Sequence, residues 1–287
     1  SGQDSTGRDN TFTGFSGRIR PEAALKWRQP LVRRESDSVY QLFEPSASLI
    51  VSPYGGNSEK IPNEDSLDVE FDENNLLKAN RFAGLDRIEG GPRINYGLKW
   101  GVFGAKGGNS TVFLGQSYRI RSDSTFAEGS GLEDNFSDIV GKVTISPTDS
   151  LNLLYRTRLN KENLEPRRNE VSLAVGRSAL SFQGNYSFFD RQTGSEFAGR
   201  EELSLSLRSK LSRFWRGTLS SLTDLDNDGG LRSIRMNLTY EDECLQFSTD
   251  ISRTFFEDRD LTPTDAIFFR VLFKTLGEVK SGITRSQ

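Results

Sequence analysis

Histidine is absent from this 287-residue chain, and cysteine and methionine occur once each. Without an imidazole the commonest general base and the commonest zinc ligand are both missing. The single Cys244 has no partner for a disulfide inside the chain. Long apolar runs are missing too. No stretch nears the ~18 consecutive apolar residues of a membrane-spanning helix, an absence that says nothing against strands crossing a bilayer. The net charge of −3 gives no basic footprint, so no nucleic-acid partner is expected. There is no Gly-x-Ser-x-Gly elbow and no Walker loop, and the carboxylates are scattered through loops. An enzyme is therefore not expected, nor a cofactor or metal. The chain opens at Ser1 without a charged and then apolar leader. Either a leader has been removed or the chain starts inside a longer one.

What is present is aromatic and alternating. Only 34% of the residues are hydrophobic and 27% are charged, which fits either disorder or many half-buried strands. The 20 Phe, 7 Tyr and 3 Trp exclude the first, because disordered chains are poor in aromatics. Ile94, Tyr96, Leu98, Trp100 and Val102 alternate with Asn95, Gly97, Lys99 and Gly101. Leu203, Leu205 and Leu207 frame Ser204 and Ser206, and Ile234, Met236, Leu238 and Tyr240 frame Arg235, Asn237 and Thr239. Residues two apart share a face of a strand, so each segment has one apolar and one polar face. A soluble antiparallel sheet with one wet face shows this pattern, and so does a membrane barrel around water.

Loop rhythm separates the two. The alternation predicts about 13 strands, near 11–28, 38–52, 92–104, 110–121, 136–146, 151–160, 169–177, 179–189, 200–209, 214–224, 231–240, 244–254 and 266–276. Short connections near 105–108, 147–150, 176–178, 210–213 and 241–243 alternate with longer ones over 52–91, 122–135, 161–168, 190–200 and 256–265. Short periplasmic turns and long extracellular loops are the signature of outer-membrane barrels. On this phase strand 13 runs inward and leaves the C-terminus in the periplasm. An odd number of strands cannot close such a barrel, and an open sheet leaves two unpaired edges. The fold class expected is therefore all-β, an antiparallel transmembrane barrel, with residues 1–287 a single C-terminal portion lacking the N-terminal half.

The connection over about 53–91 is a feature of its own. At ~40 residues it far exceeds an ordinary loop. Phe71, Leu76, Leu77, Phe82 and Leu85 among its charges predict a folded loop, packed either on itself or on the lumen wall. It contains Ile61-Pro-Asn-Glu-Asp-Ser66 and Asn80-Arg-Phe-Ala-Gly-Leu-Asp-Arg-Ile88, followed by Glu89-Gly-Gly91.

Those two segments, with Arg20-Pro-Glu-Ala-Ala-Leu-Lys-Trp-Arg28, Val51-Ser-Pro-Tyr-Gly-Gly-Asn57 and Tyr240-Glu-Asp-Glu-Cys-Leu245, occur in an order that resembles one family. Arg253, Asp258 to Asp260, Thr262-Pro263 and the stretch from Phe269 to Gly277 continue the likeness. The chain resembles the C-terminal part of the lipopolysaccharide-assembly outer-membrane family LptD (OstA), of the alphaproteobacterial type. The resemblance implies a translocon in the outer membrane of a Gram-negative bacterium, with a barrel of about 26 strands. Such a protein takes lipopolysaccharide from a periplasmic bridge and inserts it into the outer leaflet through a lateral gate. It also implies a plug lipoprotein (LptE-like), a bridge protein (LptA-like) and the barrel-assembly machinery as partners.

Site residues follow from the same resemblance. The gate lies where the last strand meets the first, and the last strand predicted here is 265–275. Ile267, Phe269, Val271 and Phe273 would then face lipid, with Arg270 and Lys274 toward the lumen and its anionic cargo. Asn63, Glu64, Asp65, Asn80, Arg81, Phe82, Asp86 and Arg87 form the lumen or loop motif. Cys244 is read either as a small buried thiol or as the family's disulfide to a periplasmic domain. It stands beside Glu243, where relatives carry an adjacent pair. Asp224-Leu-Asp-Asn-Asp-Gly229 imitates an EF-hand start but has Arg235 at position 12, so a hairpin turn is the better account. The rival function is a porin or uptake-receptor barrel, which shares the strand grammar but not the ordered segments. A soluble secreted sandwich is a third reading.

Overall fold

A computed structural model describes residues 17–286, apart from 59, 67–68, 105–106, 123–124, 191–198, 227–228 and 256–261. All its regular elements are strands: β1 (Ala23–Arg28), β2 (Leu31–Ser36), β3 (Val39–Val51), β4 (Arg93–Phe103), β5 (Asn109–Arg119), β6 (Ile139–Thr148), β7 (Leu151–Leu159) and β8 (Pro166–Arg177). They continue as β9 (Leu180–Phe189), β10 (Arg200–Lys210), β11 (Trp215–Asp224), β12 (Gly230–Glu241), β13 (Leu245–Thr254), β14 (Thr264–Phe273) and β15 (Gly277–Ser286). From β3 onward each strand pairs antiparallel with the next, in one sheet that does not close on itself.

β1 and β2 are one edge strand with a gap. Both pair with β3 on a continuous register, Ala23 opposite Val51 and Leu31 opposite Phe43. At the gap Gln29 N–H donates to the Pro45 carbonyl at 3.1 Å. Pro45 has no N–H to return that bond, and Pro30 has none either, so the ladder breaks there. Counted this way the sheet has fourteen strands, an even number, where about 13 were expected.

Two differences separate the observed strands from the expected ones: the first lengthens the first strand, and only the second adds to the count. The first strand runs on through Leu31-Val-Arg-Arg-Glu-Ser36, a segment whose proline break and charges hide its pairing. The second is β15. Its sequence Gly277-Glu-Val-Lys-Ser-Gly-Ile-Thr-Arg-Ser286 has two glycines and only Val279 and Ile283 to mark the apolar face, too sparse for an alternation signal. β14 is therefore not the last strand of the chain. β15 also carries the backbone back to the end of the sheet where the longer connections lie, which is where β1 starts.

The two faces differ along the whole sheet. Phe43, Trp100, Val112, Val143, Tyr155, Val171, Tyr186 and Leu203 are partners in successive strands on one face. Leu207, Leu219, Met236, Ile251, Ile267 and Ile283 extend that apolar band to the far edge. On the other face Lys142, Arg156, Glu170, Ser187, Glu202 and Asp224 form a cross-strand row. An apolar band this continuous, with Trp100 and Met236 each 44% exposed, exceeds what a water-soluble surface carries.

The buried core sits on the polar face. Phe71, Leu76 and Phe82 from the 52–92 connection meet Phe126 and Leu132 from the 120–138 connection, over Val140 of β6. Gly115 makes the room: a Cβ there would stand 2.3 Å from a Leu76 methyl. The loop packs on the wall.

Candidate functional site

The loop is first tied to itself. Asp65 accepts hydrogen bonds from the Leu85 and Asp86 N–H groups, both at 2.9 Å. Asp86 returns the pattern, taking the Glu64 N–H at 2.8 Å and the Asp65 N–H at 3.1 Å. Asn63 and Ser66 bridge each other, and the Arg87 N–H donates to the Ser66 hydroxyl at 3.0 Å. Gly84 permits this closeness, since a Cβ there would lie 2.2 Å from Asp65 Oδ1. The two backbone donors from Leu85 and Asp86 hold the Asp65 carboxyl below its ordinary range, against a smaller opposing effect of burial. Residues 20 positions apart thus form one clasp. Asn63, Glu64, Asp65, Asp86 and Arg87 of the sequence motif are all in it.

The remaining motif residues form a buried charge cluster. Arg81 Nη1 meets Glu89 Oε1 at 2.5 Å, and neither side chain has any exposure. Arg93 Nε reaches the same oxygen at 3.2 Å, and Arg119 also pairs with it. Arg81 Nη2 donates to Asn95 Oδ1 at 2.7 Å and to the Leu76 carbonyl at 3.0 Å. Asn80 Oδ1 accepts the Glu89 N–H at 3.0 Å. Phe82 stacks on Phe126 with centroids 5.1 Å apart, and Arg119 lies 4.9 Å over the Phe126 ring. Burial drives the Arg81 guanidinium down to about 10, reinforced by Arg93 and Arg119 and opposed by Glu89. It stays protonated at neutral pH.

A second cluster docks the loop further along the wall. Glu73 Oε1 lies 3.4 Å from Lys142 Nζ and 3.1 Å from Arg156 Nε. Glu70 lies 3.9 Å from Arg158 and 3.6 Å from Arg168, and Asp72 lies 3.9 Å from Arg168. These carboxylates and Glu89 were not singled out from the sequence as site residues. The available signal was the strand pattern Arg156-x-Arg158, which puts two cations on one face and calls for anions opposite.

The structure separates the residues expected at the gate from this site. Ile267, Phe269, Val271 and Phe273 of β14 lie on the apolar face, each opposite a β13 partner. Arg270 is on the polar face between Ser248 and Lys280. Lys274 sits in the β14–β15 turn, 3.0 Å from Glu241 and 2.6 Å from the Asp242 carbonyl. β15 flanks β14, so these residues are one strand in from the edge. Cys244 is exposed in the β12–β13 turn, at the short-turn end, and its N–H donates to Asp242 at 2.9 Å. It is not a buried thiol.

In the EF-hand-like stretch, Gly229 N–H donates to the Asp226 carbonyl at 2.7 Å, and Arg232 Nε holds Asp224 at 3.0 Å. This is a hairpin turn between β11 and β12. Asn227 and Asp228 lie outside the described residues, as do Asp258 and Asp260, the segment 11–16 of the first expected strand and the connection residues 256–261. Among the described residues no group of His, Cys, Asp or Glu could hold a metal ion.

A family model described as LptD, LPS transport system D, matches residues 1–215. The chain belongs to the LptD family. The match takes in both charge clusters and the whole loop, and ends where β11 begins. A search of curated proteins gave no match. As an LptD-family chain with an all-antiparallel wall, the protein is an outer-membrane β-barrel protein of lipopolysaccharide transport. LptD is a family of transport and assembly proteins.

Proposed function

We propose that this LptD-family chain is part of a translocon that receives lipopolysaccharide from a periplasmic bridge and places it in the outer leaflet through a lateral gate. The observation that carries the reading is the two-faced sheet in an LptD chain: an apolar band runs across one side from β3 to β15, and charged rows lie on the other. In such a wall the apolar face meets lipid and the polar face lines the lumen. Sugar and phosphate groups travel along the polar face while acyl chains leave sideways, so no catalytic step is needed and the protein is not an enzyme. The open sheet leaves β15 as an unpaired edge beside β14, and this end of the sheet is the proposed gate wall. Val279 and Ile283 would face lipid there. Arg270, on the polar face one strand away, and Lys274 at the short-turn end would meet anionic groups of the cargo.

The partners fitting this role are an LptE-like plug lipoprotein, an LptA-like bridge protein and the barrel-assembly machinery. Cys244, at the short-turn end, would bond to a periplasmic domain. A photocrosslinker at Arg235, on the polar face of β12, tests the path in the full-length protein. It should capture lipopolysaccharide only while new lipopolysaccharide is being made. Capture at Met236 on the apolar face with none at Arg235 would contradict the lumen route.

A further inference from the structure

Like charges face each other on the polar wall. Lys142 of β6 is the cross-strand partner of Arg156 of β7, and Arg158 of β7 is the partner of Arg168 of β8. Such pairs repel unless an anion lies between them. Two carboxylates lie beside them, Glu170 of β8 and Asp138 just before β6, with Glu170 2.9 Å from Arg168 and Asp138 3.9 Å from Arg158. Four cations against these two carboxylates leave the wall two positive charges in excess. The turn of the 52–92 loop brings Glu70, Asp72 and Glu73 to that spot.

The turn is opposite in sign to that excess, but its fit is poor in geometry. Its contacts with Lys142, Arg156, Arg158 and Arg168 run from 3.1 to 3.9 Å, against 2.5 Å for Arg81 to Glu89 in the neighbouring cluster. Arg156 Nε, Arg158 Nε and both Nε and Nη1 of Arg168 are buried and make no hydrogen bond. Arg158 is only 1% exposed. Buried guanidinium N–H groups without a well-aligned acceptor are costly, and a planar fork of donors matches phosphate oxygens closely.

We propose that Lys142, Arg156, Arg158 and Arg168 form an anion site for phosphate groups carried on a saccharide, and that the carboxylates of the turn at 70–73 are a displaceable stand-in for that anion. A phosphate monoester carries about −1.5 to −2 charges at neutral pH, which matches the excess left when those side chains swing away. Phe71, within the turn, is fully buried in the core and holds its backbone in place, so the exchange is one of the Glu70, Asp72 and Glu73 side chains. The Asp65–Asp86 clasp and the Glu89 cluster hold the rest of the loop while those carboxylates give way to the cargo. The proposal rests on the reading that the polar face lines the transport path.

The test uses the purified full-length protein with a spin-labelled unnatural residue at the exposed Asn74, at the tip of the turn, which leaves Cys244 untouched. Inorganic pyrophosphate should raise the mobility of the label, and sodium chloride at equal ionic strength should not. Arg158→Gln with Arg168→Gln should raise the half-saturating pyrophosphate concentration on the order of tenfold. Glu70→Gln with Glu73→Gln should instead lower it by a similar factor, with pyrophosphate binding followed by calorimetry. Heat-modifiable migration checks that each variant is folded.

Lipopolysaccharide acting at lower concentration than pyrophosphate, and losing its effect on dephosphorylation, identifies the lipid headgroup as the source. Equal potency identifies a site for free phosphate. A label that ignores both anions, or responds equally in the arginine variant, overturns the site. Should that happen while the Arg235 crosslink persists, the transport reading stands and only the anion site falls.

Discussion

Arg81 and Glu89, eight positions apart in one loop, meet at 2.5 Å with both side chains wholly removed from solvent. Three arginines, Arg81, Arg93 and Arg119, share the single Glu89 oxygen. The carboxylate is what makes three buried guanidinium groups tolerable. Removing one partner of a buried ion pair costs about 3–5 kcal/mol, because the remaining charges are left uncompensated. Glu89→Gln should therefore release the 52–92 loop from the wall. Limited proteolysis of the full-length protein should show new cleavage inside the loop, with heat-modifiable migration of the barrel retained. An unchanged digest would show that apolar packing alone suffices.

That packing has its own test. Leu76 is fully buried and fills the space above Gly115. Leu76→Ala should destabilise the docked loop by about 2–5 kcal/mol, the usual range for emptying such a site. Hydrogen exchange at the backbone amides of 69–82 should quicken, with exchange in β10–β13 unchanged. Quickening across the whole sheet would mean that the loop and the wall unfold as one unit.

Acid should open the clasp. Asp65 is held below the ordinary carboxylate value of 3.8 by backbone donors from Leu85 and Asp86. A depressed folded-state value contributes stability that is present above 3.8 and is lost as pH falls through the lower value. The Leu85 and Asp86 amides should therefore stay protected from neutral pH down to about pH 4 and lose protection below it. Asp65→Asn should lose that protection already at neutral pH and show little further change on acidification. A wild-type loss of protection near pH 6 would assign the clasp to some other group.

Cys244 is exposed in a short turn, and the proposed function has its thiol bonded to a periplasmic domain. In the full-length protein purified without reductant, Cys244 should resist maleimide and become reactive after reduction. Labelling without reduction would remove the disulfide from the account.

The strand grammar was legible because alternation is a property of the sequence itself, as in Ile94 to Val102. The loop motifs were legible because Asn63 to Ser66 and Asn80 to Ile88 stand in an ordered set with the other segments. Where alternation fails, legibility fails. β15 carries only Val279 and Ile283 on its apolar face, and β2 lies beyond a proline break, so both pairings depend on a neighbouring strand rather than on their own pattern. Without β15, β14 reads as the last strand, although β15 pairs along its whole length. The ionic clusters depend on tertiary contact: Glu89 meets Arg119, and Glu70 meets Arg168, across long sequence separations that no local spacing encodes.

The most direct test of the central claim is depletion of the full-length protein followed by assay of newly made lipopolysaccharide at the cell surface. The account predicts loss of surface lipopolysaccharide with its accumulation inside the cell. Normal surface lipopolysaccharide, with altered uptake of small solutes instead, would contradict it.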